Sequence, residues 1–189
     1  MRSYPLFWLA WLLSCAPVVF AQTTPDSLRN FEEADLRILR LPPSAFPDLP
    51  HHLRRDLERR GCSVPQLWVV KKPHNVIKGQ FFRAGQVDWA VLCSVDRVSV
   101  ILVYRNGSTL NPSAIAREPD MGRLQGVGNN EIGYSRGIGL ATRAYILSHD
   151  RGQTAPKIDH DGINDAFAEK GSVVMYFHNG KWIALAGAD

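Results

Sequence analysis

Apolar positions along this chain follow three rhythms, and each predicts a different kind of element. The first is a block: after a lone Arg2, "LFWLAWLL" (6–13) is continuously apolar, and "VFAQ" (19–22) ends in small residues. A run that short, with those flanks, reads as an export signal and not a membrane span, cleaved after Ala21. A competing reading takes "LLSC" as a lipobox, with Cys15 carrying a lipid anchor. Both readings place the chain outside the cytoplasm, periplasmic or secreted, with no transmembrane helix in the mature part.

The second rhythm is helical. Leu49, Leu53 and Leu57 recur every four residues and predict an amphipathic helix covering a core with one leucine stripe. Asp48 is placed to cap it, Pro50 to sit in its first turn, Arg59 and Arg60 to meet its C-terminal dipole, and Gly61 to stop it. Ahead of it, residues 22–47 are polar and then proline-punctuated, and "LPPSAFP" (41–47) suits neither regular helix nor central strand. That stretch predicts a mobile leader, with a helical turn or two in "DSLRNFEEADLRIL", running into a docked extended segment.

From Leu67 the texture changes to short apolar runs rich in valine, isoleucine and aromatics. "QLWVV", "NVIKGQFF", "DWAVLCSV" and "VSVILVYRNGS" predict consecutive strands of an antiparallel meander. "RNGST" and "FHNGKW" carry the Asn-Gly pair that favours tight hairpins. Between them, 118–133 reads as a long glycine-rich loop, and "YSRGIGLATRAYILSH" fits a strand or a helix equally well. The fold class is α+β, mainly antiparallel β-sheet with duplicated hairpin units and one N-terminal amphipathic helix. The expected organisation is a signal peptide (1–21), a polar, proline-rich leader (22–47) and one domain over 48–189.

The duplication rests on an internal echo. "SVILVYRNG" (99–107) and "SVVMYFHNG" (172–180) match in kind along their length, with serine, valine, asparagine and glycine identical. Upstream, "AGQVDWA" (84–90) and "DGINDAF" (161–167) share the frame Gly-x-x-Asp, which sets Gly85 and Asp88 against Gly162 and Asp165.

Charge and cysteine count narrow the setting. Without Arg2 the 22 basic side chains fall to 21 against 18 acidic, an excess too small and too spread to argue for nucleic acid or an anionic membrane. The densest basic cluster, "HHLRRDLERR" (51–60), is accounted for by a solvated helix face. Cys62 and Cys93 remain after cleavage, and outside the cytoplasm an even pair is most simply a disulfide. It would close a loop of about 30 residues, worth ~3–4 kcal/mol on a chain-entropy account.

The stretch that looks most like chemistry is "KIDHDGIND" (157–165). Together with 80–107 it resembles the FG-GAP repeat of β-propellers, in which an acidic loop holds calcium and a strand pair follows. The resemblance implies a metal set of Asp159, Asp161 and Asp165 around Gly162, with Lys157 where the first ligand would stand. In the upstream copy Gln80, Phe82 and Ala84 occupy the ligand positions, so Gly85 and Asp88 read as architectural. The expected cofactor is none, or weakly bound calcium. "LPPSAFPDLP", "RGCSVPQ", "GQVDWAVLCS", "DHDGINDAF" and "GKWIALAGAD" also resemble an uncharacterised family of small exported bacterial proteins.

Other chemistry is thin. His160 lies between two aspartates, but His51, His52, His74, His149 and His178 show no metal-binding spacing, and no Gly-x-Ser-x-Gly elbow exists. Trp68, Trp89 and Trp182 sit in strand-like runs, suited to packing or to an exposed contact platform. The reading is an exported, non-catalytic binding or interaction module for a protein or glycan ligand. The alternative is a divalent-metal-dependent hydrolase using the 159–165 cluster. A module would show an exposed apolar patch near the glycine-rich loop, an enzyme a closed pocket of converging titratable groups.

Overall fold

A computed structural model describes residues 26–149 and 156–188; the stretch expected to be an export signal, Cys15 and the expected cleavage point after Ala21 lie outside them. Helix α1 (Asp26–Arg37) is followed by β1 (Arg40–Leu41), helix α2 (His51–Arg59) and β2 (Val64–Pro65), the two short strands pairing with each other. A four-stranded antiparallel meander comes next in chain order: β3 (Val76–Gly79), β4 (Asp88–Val95), β5 (Val98–Tyr104) and β6 (Ser113–Pro119). A small hairpin, β7 (Leu124–Gly126) and β8 (Ile132–Tyr134), leads into a second meander. Its strands are β9 (Arg136–Ala141), β10 (Gly162–Phe167), β11 (Gly171–His178) and β12 (Lys181–Ala186), with helix α3 (Arg143–His149) between the first two. The fold is α+β and mainly antiparallel β. No described helix is long and apolar enough to cross a membrane.

Four layers follow from the alternation of side chains along the strands. Ala90, Leu92, Ile101 and Val103 face the second sheet, where they share a core with Ile138, Ile163, Phe177 and Trp182. Val91, Cys93, Leu102 and Tyr104 point the other way, onto Leu49, Leu53 and Leu57 of α2. Val174 and Tyr176 leave the second sheet on its far side, under Ile146 of α3. Because β4 and β5 are buried on both faces, they read as almost unbroken apolar runs and not as an alternation. Cys62 and Cys93 are joined, with Cα atoms 5.2 Å apart, so the bridge ties the end of α2 to β4.

Several expectations are corrected. The leader holds more regular structure than expected where it is described: α1 is a twelve-residue helix with Ala34 and Asp35 buried, and Arg40 just beyond it bonds the buried Asp120. Among the described residues there are three α-helices, α1 and α3 adding to the leucine-striped α2. Pro50 occupies the cap position of α2 and no side chain caps it, so Asp48 has no such role. "QLWVV" is no strand: residues 67–70 form a turn between Pro65 and Pro73, leaving Val69 and Val70 exposed.

The first Asn-Gly pair closes a 3₁₀ turn, and the next strand starts only at Ser113. The second makes the expected two-residue hairpin, with Asn179 and Gly180 both at positive φ. Residues 118–133 hold the β7–β8 hairpin and not a free loop. The ambiguous 134–149 stretch is both things in turn, β9 and then α3.

Candidate functional site

The acidic stretch gives each carboxylate its own protein donor. Asp159 is largely exposed and accepts the Tyr176 hydroxyl at 3.2 Å. Asp161 accepts the Gln80 amide at 3.0 Å and returns its own amide to the Gln80 carbonyl, stapling the loop to the first sheet. Asp165 points into the interior, where Arg136 meets it through Nε at 2.9 Å and Nη2 at 2.8 Å. His160 stacks flat on Tyr176, ring centroids 4.3 Å apart, with its nitrogens against the carbonyls of Asp161 and Phe177.

The structure therefore does not bring Asp159, Asp161 and Asp165 together. Among the described residues no three His, Cys, Asp or Glu side chains stand close enough to hold a metal. Gly162 is required by packing and not by a positive φ: a Cβ there would lie 2.5 Å from Val174 Cγ1. Gly85, by contrast, has φ +77°.

The two aspartates of the Gly-x-x-Asp frame also diverge. Asp88 opens β4 fully buried and accepts the amides of Phe81, Phe82 and Asn106 at 2.8, 3.0 and 2.7 Å, organising the loop before its strand. Asp165 stands mid-strand in an ion pair. Burial alone would lower the Arg136 pKa, but the bond to and field of Asp165, with Glu118 2.9 Å from Nη1, raise it instead. This side chain, fully buried, also donates to the Ala116 carbonyl and so links the second sheet to β6.

A second buried network seats α1. Asp120, fully buried, accepts Arg40 through Nε and Nη2 at 3.1 and 2.7 Å, the Ser94 hydroxyl at 2.6 Å and the Ser99 hydroxyl. The Arg40 guanidinium in turn holds Asp35 of α1 at 2.8 Å. Tyr134 lies beside Ser99, its phenol pushed well above the usual value, by burial foremost. These pairings carry charge inside the fold and present no open reaction site.

What α1 and its neighbours leave open is a groove of about 590 Å³ between α1, the 66–70 turn and the β7–β8 hairpin. Leu39, Trp68 and Val70 stand on its walls, 63%, 38% and 40% exposed, with Ile38, Ile132 and Tyr134 deeper. Trp68 is fixed by its amide on the Tyr134 carbonyl at 2.9 Å and by close seating on Gly133, where a Cβ would lie 2.7 Å from its own. Arg37 and Glu131 mark the rim.

The turn itself is held by a clasp. Gln66 Oε1 accepts the His74 amide at 3.0 Å, and His74 Nε2 accepts the Leu67 amide at 2.6 Å. Accepting at Nε2 leaves the ring proton on Nδ1, which donates to the Lys72 carbonyl at 3.1 Å. Burial lowers the pKa of His74, against a smaller opposing effect of the Lys72 carbonyl, which suits this neutral tautomer.

Sequence reasoning named Trp68 but placed it in a strand, and it missed Leu39, Val70 and the His74 clasp. The one available signal was Pro65 and Pro73 bracketing an apolar run. No family model, no curated protein and no solved structure matches the chain.

Proposed function

We propose that this protein is an exported, non-catalytic interaction module whose ligand surface is the groove between α1 and the β7–β8 hairpin. The observation that carries the reading is the exposed aliphatic and aromatic wall, Leu39, Trp68 and Val70, gathered around one concavity. Scattered exposed apolar residues need no explanation, whereas a contiguous set lining a groove is the usual mark of a partner site. The aliphatic bias favours an apolar polypeptide segment over a glycan, which would ask for more aromatic faces. Among the described residues the titratable groups lining it are Arg37 and Glu131 at the rim and the inward Tyr134 phenol, a poor set for acid–base work.

Export is supported by the signal-like N-terminus and is compatible with the Cys62–Cys93 bridge. The FG-GAP-like frame is read as a hairpin unit without a complete calcium site, its turn chemistry kept at Gly85 and Asp88 alone, and the two meanders as copies of one ancestral unit. Panning a random-peptide phage library on the purified protein, with a glycan array in parallel, tests the ligand reading. Enriched peptides should carry apolar side chains and lose binding in Leu39→Glu and Trp68→Ser variants of unchanged melting temperature. Glycan binding without peptide enrichment would overturn the polypeptide assignment.

A further inference from the structure

Two four-stranded sheets present four outer edges, and three of them are closed. The β3 and β9 edges meet through Asn75, which donates Nδ2 to the Arg136 carbonyl and accepts the Ile138 amide on Oδ1 at 2.8 Å. The β6 edge is interrupted by a register shift, holds Ala116 at φ +51° with its carbonyl taken by Arg136, and ends in Arg117, Glu118 and Pro119. Bulges, charges and proline are the ordinary means by which an edge is kept from pairing.

The β12 edge has none of these devices. Its sequence, "KWIALA", carries one charge, Lys181 at its start, and no proline or bulge within its pairing to β11. The two-residue hairpin fixes which backbone groups face outward: His178 and Lys181 flank the turn as a hydrogen-bonded pair, and bonded pairs then alternate. Ile183 and Leu185 bond to β11, while the N–H and C=O groups of Trp182, Ala184 and Ala186 point away from it. Among the described residues no strand and no side chain takes those groups up.

We propose that β12 pairs antiparallel with β12 of a second copy of this chain, about a two-fold axis at Ala184, joining two four-stranded sheets into one of eight strands. The strand is self-complementary in that register. Ala184 meets Ala184, and Trp182 meets Ala186 on both sides, so outward groups face outward groups and form about six hydrogen bonds. A slip by one residue would set outward groups against inward ones and lose them all.

Side chains agree with the same register. The large Trp182 faces a small alanine, and Ile183 faces Leu185 as an apolar cross-strand pair. Lys181 lies opposite Gly187, so no like charges meet. One open edge per copy is used up by one partner, which closes the assembly as a dimer and leaves nothing to polymerise.

Sedimentation velocity of the purified protein over the micromolar range reads the result. A concentration-dependent dimer is expected, reduced to monomer by Ala184→Pro with the far-ultraviolet circular dichroism unchanged, because that amide makes no bond to β11. Ala184→Cys guards against a proline variant that fails to fold. It should cross-link to a covalent dimer without reductant, whereas Ile183→Cys, which would face Leu185 of the other copy, should not. A monomer at every concentration, a dimer unaffected by Ala184→Pro, or an apolar peptide occupying β12 of a monomer would each overturn the proposal. The first two outcomes leave the groove reading untouched, since its variants lie just after α1, at Leu39, and in the 66–70 turn.

Discussion

Arg136 and Asp165 form a two-pronged ion pair inside the molecule, Nε to Oδ1 at 2.9 Å and Nη2 to Oδ2 at 2.8 Å, with side chains 0% and 6% exposed. The aspartate that a metal reading would use is thus already neutralised by the protein. Removing one partner of such a pair leaves a bare charge in the core, while an exposed carboxylate costs little to lose.

Asp165→Ala should therefore cost about 3–5 kcal/mol of unfolding free energy, and Asp159→Ala less than about 0.5 kcal/mol. Asp161→Ala should fall between them, at roughly 0.5–1.5 kcal/mol, for the lost bond to the Gln80 amide. Urea denaturation of the three variants measures the order. Equal costs at 159 and 165 would mean that the ion pair does not stabilise the fold.

Calcium is the complementary probe. With Asp165 committed to Arg136 and Lys157 beside the remaining acids, only loose binding in the millimolar class of extracellular sites is expected. Calorimetric titration and thermal melting should show no micromolar site, and a micromolar site lost in Asp159→Ala would contradict the geometry.

The His74 clasp gives a pH dependence of definite sign. Its pKa is depressed in the folded protein from an ordinary 6.5, so the unfolded chain takes up the proton first as pH falls. The contribution is complete above 6.5 and declines as pH drops toward the folded value, with a slope below about 1.4 kcal/mol per unit for one half-buried ring. Melting of wild type and His74→Ala between pH 8 and 5 isolates it: the variant should be less stable at pH 8, with the difference narrowing on acidification. A difference that widens on acidification would reverse the assignment.

Reduction of Cys62–Cys93 should destabilise the protein by ~3–4 kcal/mol, since about 30 residues lie in the loop it closes. Intact mass after alkylation checks the bond, with both thiols blocked only after reductant.

The sheet was legible wherever apolar runs were long. "DWAVLCSV" is β4 residue for residue, the leucine stripe of α2 was visible in spacing, and the Cys62–Cys93 pairing followed from an even cysteine count in an expected oxidising setting. What stayed hidden depends on partners distant in sequence. Leader residues look soluble until Arg40 is seen bonded to Asp120, 80 positions away. Arg136 in "YSRG" carries no mark of burial, because its partner stands in a different strand. "QLWVV" misled because an apolar turn on a groove wall and an apolar strand have the same composition. The acidic stretch misled for a related reason: spacing lists ligands but not the direction in which each side chain leaves the backbone.

The claim that the groove is the ligand surface is tested most directly by an amide and indole NMR titration of the purified protein with a phage-selected apolar peptide. The expected shifts centre on the Trp68 indole, Gly133, Leu39 and Val70 and are absent in Leu39→Glu. Shifts confined to residues 157–165 or to β12, with the Trp68 indole unmoved at saturation, would contradict it.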